Sequence, residues 1–84
     1  MNCLLLYDIT DDAKRTRVAD ACLDYGLDRT QYSAFCGDIS RNLQEELFLK
    51  VQAILDGTAA SVLLVPICET DWDNQLAHVA RSPQ

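Results

Sequence analysis

Two short segments of the chain are apolar on every residue face. CLLLYDI, residues 3–9, carries Leu4 and Leu6 on one side of an extended chain and Cys3, Leu5 and Tyr7 on the other. SVLLVPI, residues 61–67, repeats the pattern until Pro66. A strand without a polar side is one covered on both faces, and Pro66 is expected to break the second one. Between them the period changes from two to 3.6. Val18, Cys22 and Tyr25 fall at i, i+4 and i+7 and predict a helix over 11–25. Thr10 or Asp11 can cap it, Asp11 and Asp12 suit its positive end, and Gly26 followed by Leu27 fits a Schellman-type stop. A second helix is predicted over about 40–55, capped by Ser40 and stopped by Gly57, with Leu43, Leu47, Val51 and Ile54 or Leu55 as its apolar stripe and Phe48 beside it. DRTQYSAFCG, residues 28–37, alternates roughly and reads as one bent strand or two short ones with a bulge.

The order β-α-β-β-α-β predicts an α+β ferredoxin-like sandwich, with both helices on one face of the sheet. The core spans 1–67 and the tail 68–84. The other face would be bare, yet CLLLY and SVLLV are apolar on both faces, and the tail offers only Trp72, Leu76 and Val79 as large apolar groups. The economical cover is a second copy, so a homodimer packed sheet to sheet is expected.

Size and charge sharpen this picture. Eighty-four residues make one domain. A chain so short buries only about 60–65% of its unfolded surface, and oligomerisation is a common remedy. The formal net charge is −6, from seven Lys+Arg against thirteen Asp+Glu, which argues against nucleic-acid binding by overall charge. The exception is local: Lys14, Arg15 and Arg17 lie within four residues. They form either a solvated helix face or a phosphate-binding cluster. Cys3, Cys22, Cys36 and Cys68 make no CxxC pair and His78 is the single histidine, so a zinc site is not expected. The N-terminus reads as entering a strand directly, without a charged leader. No apolar run approaches the roughly 20 residues of a membrane helix. A reducing cytoplasm with free thiols is the simplest expectation.

YDITDD, residues 7–12, raises the chemical question. Asp8 leaves a buried strand directly, and it can either help cap the following helix or pair with Arg15, or it can hold a metal ion. Asp11, Asp12 and Asp38 are candidate bases by position only; Tyr7, Ser33 and Phe35 are expected either to line the same end of the sheet or to serve ordinary packing, the latter favoured for Phe35.

YDITDD, the run KRTR, and Tyr25-Gly26-Leu27, Arg29, Gln31, Ser33 and Phe35 in the spacing YGL-x-R-x-Q-x-S-x-F together resemble the small CRISPR-associated adaptation proteins of the Cas-two family, over roughly residues 3–67. The resemblance implies a ferredoxin-like homodimer that takes part in acquiring new spacers. It would sit between two dimers of the integrase, the Cas-one family, and hold the central part of the duplex DNA to be inserted. It also implies a divalent-metal-dependent endonuclease activity on RNA or DNA. Asp8 from both chains would then share one Mg²⁺ or Mn²⁺ ion near the two-fold axis as the metal-binding and catalytic group. Lys14, Arg15 and Arg17 become nucleic-acid-binding candidates, extended by Arg29 and Arg41. The tail is expected to add a strand to the partner chain, with Trp72 as a partner-binding anchor. Cys36 stands where the family commonly has Glu. A ferredoxin-like small-molecule sensor is the remaining alternative, although the chain carries no Gly-rich phosphate loop for it.

Overall fold

The computed structural model describes residues 1–80. Its elements are β1 (Asn2–Ile9), α1 (Asp12–Asp24), β2 (Asp28–Gln31), β3 (Ala34–Asp38), α2 (Arg41–Leu55), β4 (Ala60–Ile67) and a short α3 (Glu69–Asp73). The sheet order is β2-β3-β1-β4, and β1 pairs antiparallel with both neighbours. This is the ferredoxin-like arrangement that the β-α-β-β-α-β order predicts. Residues 28–38 form two strands joined at Tyr32-Ser33, with a register shift between Arg29 and Gln31.

The alternation along β1 divides two environments. Cys3, Leu5, Tyr7 and Ile9 are buried beneath the helices, together with Val18, Cys22, Leu27, Phe35, Leu47, Val51 and Ile54. Leu4, Leu6 and Asp8 have the opposite parity and lie on the face without helices. In the register Leu4 pairs with Val65 and Leu6 with Leu63. That face is therefore apolar and open: Leu6 is 39% exposed, Val65 36% and Leu63 57%.

Helix α1 begins where the sequence allows. Asp11 is the N-cap, and its carboxylate accepts from the Lys14 amide at 2.9 Å. It ends in a Schellman motif: Gly26 at φ 92° donates to the Leu23 carbonyl, and Leu27 donates to that of Cys22. Tyr25 is the C-cap; it is partly buried and packs against the core that Val18 and Cys22 enter fully. Ser40 caps α2 through the Leu43 amide. Asp56 and Gly57, both with positive φ, turn the chain away at its end.

Two expectations need correction. Leu43 is 42% exposed, and Gln44 takes its place on the inner face of α2 with Leu47, Val51 and Ile54. The reason is polar. Gln44 Nε2 donates to the Met1 and Ile39 carbonyls, both at 3.1 Å, tying the start of β1 to the β3–α2 link. A buried carbonyl without a donor is costly; this amide supplies one to Ile39 and a second to Met1, whose carbonyl also accepts from the Ile39 amide at 3.2 Å. Pro66, in turn, does not break β4; it lies inside the strand opposite Cys3. Because β4 is an edge of the sheet, one side of it has no ladder to interrupt, and proline is tolerated there.

Gly37 marks the closest approach of the β3 backbone to the α1–β2 connection. A Cβ at this position would stand 2.8 Å from Leu27 Cδ2 and 3.2 Å from the Gly26 carbonyl oxygen. Leu27 is 1% exposed and has no room to withdraw. Gly37→Ala is expected to lower stability by about 1–3 kcal/mol, read as a fall in the urea midpoint at unchanged m-value.

The thiols are free in this structure. Burial, with Cys3 close by, pushes the Cys22 thiol up to about 12. Such a group is a small core hydrophobe rather than a nucleophile. No helix among the described residues is long and apolar enough to cross a membrane. The tail, 68–84, extends past the described residues. Within it, α3 leaves Leu76 and Val79 exposed and Trp72 partly covered.

Candidate nucleic-acid and metal site

The chemistry-bearing residues converge where β1 ends. The β2–β3 turn is fastened to β1 at two points: the Tyr7 amide donates to the Ser33 carbonyl at 3.1 Å, and the Tyr7 hydroxyl donates to the Tyr32 carbonyl at 3.4 Å. Tyr7 stacks on Phe35, with ring centroids 6.2 Å apart. Burial raises the Tyr7 phenol above its ordinary value, while the Arg29 guanidinium pulls it the other way. A neutral phenol at neutral pH is what lets Tyr7 serve as the donor that holds the turn.

Arg15 reaches into the same place from the first turns of α1. Its guanidinium donates to the Ile9 carbonyl at 3.0 Å and pairs with Asp12, and the bond to Asp12 raises its pKa further. Its carbon Cζ lies 5.7 Å from the centroid of the Tyr32 ring. Arg29 extends from β2 across Phe35 at 5.0 Å and stands 5.8 Å from the same Tyr32 ring. Thus Arg15 and Arg29, far apart in sequence, share one aromatic neighbour. Asp8 opens onto this place as well. A cleft of about 430 Å³ is lined by Asp8 with Tyr7, Thr10, Arg15, Tyr32 and Ser33.

Asp8 is exposed and lies opposite Ser61 in the ladder. The two structural duties open to it are performed by neighbours, since Asp11 caps α1 and Asp12 pairs with Arg15. Its oxygens are hard donors of the kind Mg²⁺ prefers. The described residues of one chain bring together no group of three or more potential ligands from His, Cys, Asp and Glu. The donor set therefore suits an ion held by one or two carboxylates with phosphate and water filling the rest, not a protein-built cage.

The other singled-out residues lie apart from this cluster. Lys14 turns its ammonium to the end of α2, donating to the Leu55 carbonyl at 2.9 Å and to the Thr58 hydroxyl. In this position it satisfies a carbonyl at a helix C-terminus. Arg17 is exposed on α1. Arg41 begins α2, three residues after Asp38, which pairs with Asn2. It is thus at the opposite end of the sheet from Asp8, about 20 Å along β1, and it pairs with Glu45 at 3.2 Å. Asp38 binds the N-terminal ammonium at 2.6 Å. Trp72 belongs to α3, and the exposed His78 follows it. Sequence reading passed over Tyr32, which looked like one more β-favouring residue. The available signal was its position, a large aromatic directly beside Ser33 between two short strands.

Residues 1–75 match the sequence model of the family described as CRISPR associated protein Cas2. A Chloroflexus aurantiacus protein named CRISPR-associated endoribonuclease Cas2 2 is 48% identical over 75 residues, which cover 89% of this chain and 88% of that protein. A Thermoproteus tenax protein named as a fusion of the CRISPR-associated endonucleases Cas1 and Cas2 is 31% identical over 83 residues, 99% of this chain and 31% of the longer protein. The crystal structure of a hypothetical protein from Thermus thermophilus superposes with a TM-score of 0.77 at 25% identity, covering 99% of this chain and 94% of that one. The chain belongs to the CRISPR associated protein Cas2 family.

Proposed function

We propose that this protein is a subunit of the CRISPR adaptation machinery. Two copies pack sheet to sheet, and the dimer holds duplex DNA while a Cas1 integrase inserts it. The observation that carries this reading is the family membership, supported by the fused Cas1 and Cas2 of the Thermoproteus tenax relative. Two proteins encoded as one chain work at one place. The open apolar face of β1 and β4 supplies the surface for a second copy. Two-fold symmetry would double the basic group of each chain, giving a duplex paired phosphate contacts that position it without reading its sequence. The −6 charge makes such contacts salt-sensitive and leaves Cas1 to supply further positive surface. The tail, as a strand on the partner's sheet or as a Trp72-anchored contact, would add to the assembly.

A second reading is favoured by the freedom of Asp8: a metal-dependent endonuclease acting on RNA or DNA, in line with the relatives named an endoribonuclease and an endonuclease. Asp8 from each chain would hold a divalent ion, Mg²⁺ or Mn²⁺. When bound, that ion supplies charge neutralisation at the phosphodiester and a water of lowered pKa. Arg15 would orient the phosphate from the same cleft, with Arg29 reaching it from the adjoining one.

The adaptation reading is tested by reconstituting integration with the matching Cas1. Arg15→Glu/Arg17→Glu is expected to reduce integration of a duplex by more than tenfold and to weaken duplex binding most at low salt, while Arg17→Glu alone lowers the slope of log affinity against log salt by about one to two phosphate contacts. Arg15 also bonds the Ile9 carbonyl, so urea unfolding is run alongside, and exposed Arg17 provides the fold-neutral arm. Full integration by both variants would remove this reading.

A further inference from the structure

Tyr32 has no role in either reading above, yet its setting is unusual. It is 68% exposed, although its backbone carbonyl is held by Tyr7 and the neighbouring Ser33 carbonyl by the Tyr7 amide. A large aromatic ring is thus carried on a fixed turn and left in solvent. The guanidinium groups beside it lie 5.7 and 5.8 Å from the ring centroid. Stacked planes approach to about 3.5–4.0 Å, so neither arginine covers the ring as a stacked plane would, and the exposure agrees. Arg15 is itself fixed by the Ile9 carbonyl and Asp12, and Arg29 rests on Phe35.

Tyr32 also stands between two clefts. One, of about 430 Å³, contains Asp8 and Ser33; the other, of about 480 Å³, contains Arg29, Thr16 and Asp20. Tyr7, Arg15 and Tyr32 line both and form the wall between them. An open aromatic face flanked by two cations matches the chemistry of a nucleotide, which offers a π-face between two phosphates. Proteins that hold single strands combine these same elements, stacking bases on aromatic rings beside positive groups that follow the backbone. A base paired within a duplex presents no free face to such a ring.

We infer that Tyr32 is a stacking platform for an unpaired nucleobase, with Arg15 and Arg29 holding the phosphates on either side of it. The site rests on the nucleic-acid-binding reading of this protein and deepens it: the preferred ligand is a nucleic acid with an unpaired segment, such as a single strand or a duplex with an overhang. The chain passes over Tyr32 from the Arg29 cleft to the cleft that contains Asp8. Tyr32 therefore decides which nucleotide lies beside Asp8.

The test is fluorescence anisotropy with three probes of one sequence: a single strand, a blunt duplex, and a duplex whose overhang carries 2-aminopurine. The proteins are wild type, Tyr32→Ala and Tyr32→Phe. Tyr32→Ala is expected to weaken the single strand and the overhang about 5- to 100-fold and to abolish 2-aminopurine quenching. Blunt-duplex affinity stays within twofold, and Tyr32→Phe behaves as wild type in all three. An unchanged Tyr32→Ala, or an equal loss on the blunt duplex, overturns the inference while leaving nucleic-acid binding intact. Unchanged nucleic-acid binding with weakened Cas1 capture overturns it in favour of a protein contact. Wild type that binds none of the probes refutes the nucleic-acid reading itself, and this site with it.

Discussion

Leu63→Asp is expected to convert the proposed dimer into a folded monomer. Leu63 is more than half exposed in the single chain and lies opposite Leu6 on the sheet face without helices. A charge there is solvated in the monomer, so the core beneath the helices is untouched. In a sheet-to-sheet dimer the same carboxylate is buried against the partner, and two-fold symmetry introduces it twice. An unpaired buried charge costs on the order of 3–5 kcal/mol in mutational data. Two of them amount to about 6–10 kcal/mol, enough to raise a dissociation constant by 10⁴-fold or more. Sedimentation equilibrium across a concentration series reads this directly, with urea unfolding showing that the monomer is intact. The outcome also separates two geometries. A dimer joined only along the free edge of β4 presents its main chain rather than Leu63, and it survives the substitution. Persistence of the dimer at wild-type affinity removes the sheet-to-sheet arrangement and, with it, the approach of the two Asp8 residues.

The fold was legible because its signals are local or periodic. Asp11 and Ser40 are capping residues by chemistry, Gly26 stops α1 by its positive φ, and the unbroken apolar run CLLLY marks β1 as a strand. Gln44 was illegible because its role depends on two carbonyls, from Met1 and Ile39, that only the tertiary structure brings to it. Pro66 misled because its effect depends on whether the strand is central or at an edge, which is a property of sheet order. The site divides in the same way. Asp8 could be named from YDITDD, but its release from capping and pairing depends on which of Asp8, Asp11 and Asp12 takes each duty. The run of Lys14, Arg15 and Arg17 looked like one basic cluster. The helix period sends Lys14 to the end of α2 and Arg15 to the end of β1, while Arg29 joins Arg15 only through the β2–β3 turn. Sequence proximity gave the charges, and folding regrouped them.

The freedom of Asp8 leads to the second large expected effect. Asp8→Ala is expected to reduce Mg²⁺- or Mn²⁺-dependent cleavage of labelled RNA or DNA by about 10²- to 10⁴-fold, the range for loss of a group essential to the chemistry. Asp8→Asn should fall nearly as far, because it keeps the shape but removes the charge that holds a divalent ion. Neither change should disturb the fold. Asp8 is exposed, Asp11 retains the cap and Asp12 retains Arg15, so stability should move by no more than about 0.5 kcal/mol. Nucleic-acid binding in EDTA should be unchanged or slightly tighter, since a negative charge leaves a cleft that also contains Arg15. This combination, cleavage lost with binding kept, distinguishes a metal ligand from a residue that merely shapes the cleft. Cleavage by Asp8→Ala at the wild-type rate would discard the nuclease reading and leave Asp8 without a chemical role. Integration with Cas1 would be unaffected by that result, because the duplex-holding reading draws on the arginines and the dimer, not on this carboxylate.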